Sequence, residues 1–291
     1  MRYAYVNGHY CRHGDAAVHV EDRGFQFADA VYEVWGVRYG GLLDAEGHFQ
    51  RLARSLQELR IEPPCTRPAL MRIITELLRR NRVRHGLVYL QISRGQARRD
   101  HAFPKKPVPP TIVLTCKRLD FAAADTRAEH GIAVITVPDQ RWGRCDIKTV
   151  NLLPNVLAKQ AAQDAGATEA WLVDDNGYVT EGSSTNAWIV TKAGKLVTRQ
   201  ADNAILHGIT RARIFECAQS LGLEVEERAF TPQEAATARE AFLTSATSFV
   251  MPVVAIDDKT IANGKPGSLA TSLRQTYLSQ VYVSGPASHA K

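Results

Sequence analysis

Short apolar, β-branched runs and segments of helical period alternate irregularly along this chain, and that irregular alternation narrows the possible folds more than any other feature. Leu87 to Ile92, Thr111 to Cys116, Ile132 to Val137, 170–174, 186–191 and 195–198 read as strands. A helix is expected over 46–60, where Phe49, Leu52, Ala53, Leu56 and Leu59 recur at helical spacing behind Asp44 as N-cap, with Arg51 and Arg54 beside the stripe. A second should open at Thr66 and Pro68 and run to about Arg82, burying Leu70, Ile73, Ile74, Leu77 and Leu78. Others are expected at 154–165, 209–221 and 267–281. Without a strict strand–helix–strand rhythm, these elements predict an α/β chain whose sheets are antiparallel or mixed. The small residues from Phe121 to Thr126 interrupt the pattern, so 121–130 is expected to link a small N-terminal α/β domain, 1–120, to a larger C-terminal one, 131–291. The tail from Ser284 to Lys291 should fray.

Composition excludes several classes. With 291 residues and 45% hydrophobic content the chain can fill real cores. Its apolar runs, such as Ala170-Trp171-Leu172-Val173, fall far short of the roughly 20 residues that cross a bilayer. Met1 to Gly8 does not read as a signal peptide, so the expected address is cytoplasmic, with no membrane partner. The five cysteines are scattered, and none is spaced as Cys-x-x-Cys, which argues against a disulfide framework or a zinc site. Net charge is +6, and residues 1–130 carry 21 Lys/Arg against 14 Asp/Glu. The densest basic run, Arg79-Arg80-Asn81-Arg82-Val83-Arg84, reads as a solvated helix face rather than a nucleic-acid contact.

The chain has no phosphate loop, no Gly-x-Gly-x-x-Gly, no Gly-x-Ser-x-Gly and no His-Glu-x-x-His. Two segments stand out instead. In Arg141-Trp142-Gly143-Arg144-Cys145-Asp146-Ile147-Lys148-Thr149-Val150-Asn151, one lysine sits among aromatic, apolar and cationic neighbours. Such a setting favours the neutral amine that attacks an aldehyde, although a salt bridge to Asp146 explains the same residues. In Val179-Thr180-Glu181-Gly182-Ser183-Ser184-Thr185-Asn186, a hydroxyl-rich turn follows a single carboxylate. A polar β-turn accounts for it, and so does an enzyme of pyridoxal 5′-phosphate (PLP), which needs a carboxylate at its ring nitrogen. The phosphate of that cofactor needs a helix amino terminus, and Gly208-Ile209-Thr210 opens one, with more donors at Thr244-Ser245-Ala246-Thr247-Ser248.

These segments, together with Glu21 to Val34, His48-Phe49-Gln50-Arg51-Leu52, Leu157-Ala158-Lys159-Gln160 and Leu206 to Arg211, resemble the fold-type IV PLP enzymes along nearly the whole chain. Within that group they resemble the D-amino acid aminotransferases. The resemblance implies two α/β domains with the cofactor in the cleft between them, and a homodimer. It implies Lys148 as the residue that carries PLP, Glu181 at the ring nitrogen, and Arg51, Ile209, Thr210, Ser245 and Ala246 at the phosphate, where the family often has Thr at the last position. It also implies that Arg99 and His101 reach across the dimer and, with Tyr32, clamp the substrate α-carboxylate. A forked guanidinium matches that group. Val34 would line the pocket, and Arg98 stands beside Arg99. The expected substrates are D-amino acids and 2-oxo acids such as D-alanine and 2-oxoglutarate. A branched-chain L-amino acid aminotransferase would share Lys148 and Glu181 but lack the Arg-x-His pair, an aminodeoxychorismate lyase would share only the cofactor site, and a PLP-binding regulatory or nucleic-acid-binding module would need no intact catalytic set.

Overall fold

The computed structural model describes residues 2–281 and 283–284 and divides the chain into two compact units. Unit 1 comprises the residues up to Phe121, the short stretch Ile147–Asn151 and the terminal pair Val283 and Ser284; unit 2 comprises Ala122–Asp146 and Leu152–Val281. In chain order, unit 1 contains β1 (Tyr3–Val6), β2 (His9–Arg12), α1 (Arg23–Phe27), β3 (Ala30–Arg38), β4 (Gly41–Leu43), α2 (Ala45–Glu58), α3 (Arg67–Asn81), β5 (Gly86–Ser93) and β6 (Thr111–Arg118). Then follow α4 (Phe121–His130), β7 (Ile132–Pro138), α5 (Leu153–Asp164), β8 (Glu169–Val173), β9 (Val179–Gly182), β10 (Asn186–Val190) and β11 (Leu196–Thr198). The remaining elements are α6 (Ile209–Ser220), β12 (Val225–Glu227), α7 (Pro232–Ala236), β13 (Glu240–Ser245), β14 (Phe249–Ile256), β15 (Lys259–Thr260), α8 (Ser268–Gln280) and β16 (Val283–Ser284).

The sheet of unit 1 is antiparallel throughout, in the order β16-β4-β3-β5-β6-β1-β2. Strand alternation along β3 places Val31, Glu33, Trp35 and Val37 on one face and Tyr32 and Val34 on the other. Against the first face lies α2, whose buried residues are Ala45, His48, Phe49, Arg51, Leu52, Ser55 and Leu56. Burying apolar side chains of this size contributes ~1.5–3 kcal/mol each, which must also offset the three polar groups among them. Ala53, expected in the stripe, is exposed, and Arg51, expected at its margin, is inside. Asp44 forms no side-chain cap, because it sits in the left-handed region at φ 47°. At α3 the expectation holds better: Thr66 caps Ala69 N at 3.4 Å, and Leu70, Ile74, Leu77 and Leu78 are buried. The basic run that ends this helix is solvated, with Arg79 and Arg80 both paired to Glu76.

Unit 2 has a mixed sheet, β12-β11-β10-β13-β14-β7-β8-β9, with β15 added beside β14. The β7–β8, β14–β7 and β11–β12 pairs are parallel and the others antiparallel. Trp188 and Phe242 stack at 5.5 Å in its interior, and Trp171 meets Phe230 edge-on. The expected linker differs: residues 121–130 form the ten-residue helix α4, and the second unit takes it up from Ala122. Alanine is the strongest helix former, so small residues there extend structure rather than interrupt it. Nor does the second unit run unbroken from 131, since Ile147–Asn151 returns to the first. Of the tail expected to fray, Ser284 pairs with Leu42 in a strand and 285–291 lie outside the described residues.

The start of α8 shows how tightly unit 2 is closed. Glu240 is 5% exposed and accepts from Leu269 N and Ala270 N at 3.1 and 2.9 Å, so a buried carboxylate caps the helix dipole. A Cβ on Gly267 would lie 1.9 Å from the Glu240 Cδ. Gly267→Ala should therefore cost about 1–3 kcal/mol of stability in urea unfolding. A change below about 0.5 kcal/mol would mean that the helix start moves aside freely.

Candidate active site

In unit 1 the lysine segment is stitched to β3. Thr149 bridges Val31, Tyr32 N donates to Lys148 O at 2.9 Å, and Val150 N donates to Ala30 O at 3.1 Å. The Lys148 backbone N–H reaches the Ser55 hydroxyl on α2 at 3.4 Å. Its side-chain nitrogen lies 4.2 Å from the ring centre of Tyr32. Tyr32 in turn stacks on Tyr89 at 5.7 Å, and burial pushes the Tyr89 hydroxyl up to about 12, where it donates to Gln91 as a neutral phenol. Lys148, Tyr32 and the half-buried Val34 thus belong to one strand neighbourhood. The alternative partner of Lys148, Asp146, is bound by Arg144 at 2.9 and 3.0 Å in the other unit.

Arg51 lies on the opposite face of β3, in a cluster that periodicity alone does not assemble. Its Nε and Nη2 donate to the two oxygens of Glu33 at 2.7 and 2.9 Å, and His48 Nδ1 stands 2.7 Å from the same carboxylate. Glu33 has no exposed surface. Burial alone would raise its pKa, yet the Arg51 charge and hydrogen bonds, helped by His48, outweigh it and hold Glu33 at about 2. His48 is shifted down, first by burial and also by the charges of Arg51 and Lys148, against the pull of Glu33. A neutral imidazole facing a carboxylate donates from Nδ1. The signal for this cluster is present in the sequence, since a glutamate in the middle of Val-Tyr-Glu-Val-Trp must be buried with a cation or be excluded from the strand.

Arg99 and His101 lie apart from Tyr32, on an exposed loop. Arg99 donates to Gln26 at 3.4 Å and stands over the Phe27 ring at 4.7 Å, while His101 packs on the same ring at 5.4 Å. The loop is anchored from beneath. Arg23 donates to the carbonyls of Asp100 and His101 at 2.6 and 3.3 Å and to Asp29 at 2.8 Å, and Arg94 forks onto Asp29. Arg98 is exposed beside them.

Unit 2 gathers the other half of the expected residues at one end of its sheet. Glu181, 5% exposed, is held by the guanidinium of Arg141, by Asn186 Nδ2 at 2.9 Å and by Leu206 N at 3.1 Å. Arg141 also forks onto Asp139 at 2.9 and 2.7 Å. Burial opposes the charge on Arg141, but Asp139 and Glu181 prevail and raise its pKa above the usual range. These three groups carry one net negative charge, which suits a cationic ring N–H. Asn186 also donates to Leu206 O at 2.9 Å, and a Cβ on Gly208 would lie 2.0 Å from its Oδ1. Glycine is therefore required where α6 begins. That helix has neither a side-chain cap nor an acidic residue in its first turn, so the N–H groups of Ile209 and Thr210 keep their positive end for an anion. Thr244 pairs with Asn186 across β13 and β10, which brings the Ser245–Ser248 turn to the same sheet end. The Thr244 hydroxyl accepts from Trp188 Nε1 at 3.1 Å and is spent in the core.

The profile of the family described as Amino-transferase class IV matches residues 30–256. The chain belongs to the class IV aminotransferase family. Two relatives of this aminotransferase are the D-alanine aminotransferase of Bacillus licheniformis, 39% identical over 94% of this chain and 96% of the relative, and that of Listeria monocytogenes, 37% identical over 95% of each. Among solved structures, the T.th. branched-chain amino acid aminotransferase with pyridoxamine 5′-phosphate superposes with a TM-score of 0.86 at 27% identity, over 95% and 93% of the two chains. The branched-chain enzyme of Escherichia coli gives 0.85 at 23%, over 96% and 94%, a likeness of fold alone. Class IV aminotransferases use PLP. Each unit, taken by itself, offers donors that fit part of that group: unit 1 the amine of Lys148, and unit 2 a buried carboxylate that shares Arg141 with Asp139, together with the start of α6, which has no side-chain cap.

The Glu33 cluster yields a prediction with a definite sign. Removing one member of a buried ion pair costs about 3–5 kcal/mol, so Glu33→Gln should be destabilised by that amount in urea at pH 7. A carboxylate whose pKa is lowered on folding stabilises above its unfolded value and loses that contribution as pH falls through the folded one. The gap between wild type and variant should thus narrow between about pH 4.5 and about 2. A gap independent of pH across that window would remove the ionised Glu33 from the account.

Proposed function

We propose that this aminotransferase exchanges an amino group between a D-amino acid, such as D-alanine, and a 2-oxo acid, such as 2-oxoglutarate, on PLP carried by Lys148. The observation that carries the substrate assignment is the pair Arg99 and His101 on a loop braced by buried Arg23 and Arg94, in a chain 39% identical to a D-alanine aminotransferase over nearly its whole length. The branched-chain enzymes that superpose on it do so at 27% identity or below, where likeness of fold does not select a substrate.

PLP, when bound, supplies a carbonyl for amine exchange and a ring that accepts the charge left as the substrate α-proton departs. The chain supplies the rest. Lys148 carries the amine and moves the proton to and from the substrate α-carbon, and its backbone anchors to β3 and Ser55 hold that nitrogen in place. Glu181, paired with Arg141 and oriented by Asn186 and Leu206 N, would turn its carboxylate to the ring nitrogen. The N–H groups of Ile209 and Thr210 and the turn at Ser245 and Ala246 hold the phosphate. At Ala246 only the backbone N–H is offered, so the hydroxyls of Thr210 and Ser245 must serve there. Arg51 completes the phosphate site, with Glu33 and His48 fixing its plane. Tyr32 and Val34 line the substrate pocket from β3, and Arg99 and His101 of each chain reach the site of a second copy in a homodimer. A single proton-moving lysine works on one face of the substrate, so the side on which the carboxylate is clamped decides handedness.

Two measurements test this. With 2-oxoglutarate as acceptor, the purified enzyme should turn over D-alanine faster than L-leucine; the reverse order would transfer the assignment to the branched-chain class. Arg99→Ala should raise the KM for D-alanine by about 10–100-fold, the worth of one charge-assisted fork, with little effect on amines that lack a carboxylate. Equal losses for both substrate types would make Arg99 a structural residue.

A further inference from the structure

We infer that Arg274, on α8, is the positioning residue that holds the phosphate turn in shape; this rests on the proposed placement of the PLP phosphate at Ser245 and Ala246. The turn joins β13 to β14, with Ser245 paired to Phe249 and three residues, 246–248, between them. Hairpins of this length usually end on a residue in the left-handed region, and glycine normally occupies it. Here the residue is Phe249, at φ 60° and with no exposed surface. A bulky side chain in that region is strained and persists only where its surroundings enforce it.

The enforcing group is the Arg274 guanidinium, 7% exposed. Its Nη1 donates to Ser248 O and to Val250 O, both at 2.7 Å, so one nitrogen clasps the carbonyls on either side of the strained residue. The same side chain lies 5.6 Å from the Phe249 ring, which packs on Tyr277 one helical turn further along α8. From the outer end Nη2 donates to Asp125 on α4 at 2.5 Å, and this half-exposed carboxylate fixes the plane of the guanidinium. Within the turn itself, Ser248 N donates to Ser245 Oγ at 3.1 Å, so the hydroxyl proposed for the phosphate is oriented by the residue whose carbonyl Arg274 holds. The chain Asp125–Arg274–Ser248–Ser245 therefore runs from the surface of unit 2 to the phosphate turn. Without Arg274 the half-buried carbonyl of Ser248 and the buried carbonyl of Val250 lose this donor, and the left-handed Phe249 loses its brace. The turn would then relax and its N–H groups would diverge.

Dialysis of the holoenzyme against graded PLP, and separately against pyridoxal, which has no phosphate, tests this, with retained cofactor read from its absorbance. Arg274→Met should raise the Kd for PLP at least tenfold and that for pyridoxal less than twofold. Arg274→Lys, which can satisfy one carbonyl, should fall between, and Asp125→Asn should weaken PLP less than Arg274→Met does. A PLP Kd within twofold of wild type, or equal losses for PLP and pyridoxal, overturns the inference. Should Arg274→Met not fold, Arg274→Lys decides alone: a selective loss of threefold or more for PLP supports the positioning role and anything less refutes it. Wild-type protein that holds pyridoxal as tightly as PLP would show that the phosphate placement itself is wrong, a failure distinct from that of Arg274.

Discussion

A carboxylate with no solvent contact sits in the middle of β3, and much of unit 1 is arranged around its charge. Moving such an ion out of water costs several kcal/mol unless it is fully partnered, and among the described residues Arg51 and His48 partner Glu33. Both partners come from α2, one helical turn apart, so the ion pair sets the rotation of α2 about its axis and its height along the strand. Phe49, Leu52 and Leu56 then pack against the sheet because the helix is already turned the right way. Ser55, one turn beyond Arg51, meets the Lys148 backbone for the same reason.

Unit 2 solves a related problem differently. Its acidic residue of interest, Glu181, shares one arginine with a second acid, Asp139. The arrangement leaves a surplus of negative charge, where Glu33 and Arg51 cancel. A cancelled pair leaves its neighbourhood neutral, and a surplus leaves it attractive to a cation. Backbone donors assist, because Leu206 N reaches both Glu181 oxygens and cannot be lost by a change of side chain.

Most elements are legible from periodicity because each buries a single stripe or face. The spacing of apolar residues locates α3 and the strands β5, β6 and β7 to within a residue or two, since an amphipathic pattern is what burial demands of them. α4 escapes that reading because its alanines resemble a break, although their propensity is for helix. β3 escapes it too, its glutamate masking a run otherwise rich in apolar residues. For the candidate site, Lys148 and Glu181 stand out through their neighbours in sequence. Arg141 as the partner of Glu181, and Arg274 as the brace of a turn 26 residues away, leave no local trace. Periodicity reports which face is buried, and a hydrogen bond between distant segments depends on where the backbone has already gone.

Unit 1 is assembled from three separate stretches of chain, and the order of synthesis gives this a meaning. A nascent chain emerges with β1 to β6 complete, yet β3 lacks its bridge to Thr149 until residue 149 has been made. The outer side of β4 stays without its partner until Val283 and Ser284 emerge, some 240 residues later. An unpaired strand edge is a template for the wrong neighbour. β4 is only three residues long, Gly41–Leu43, so that template is short during the many seconds for which the ribosome leaves it open.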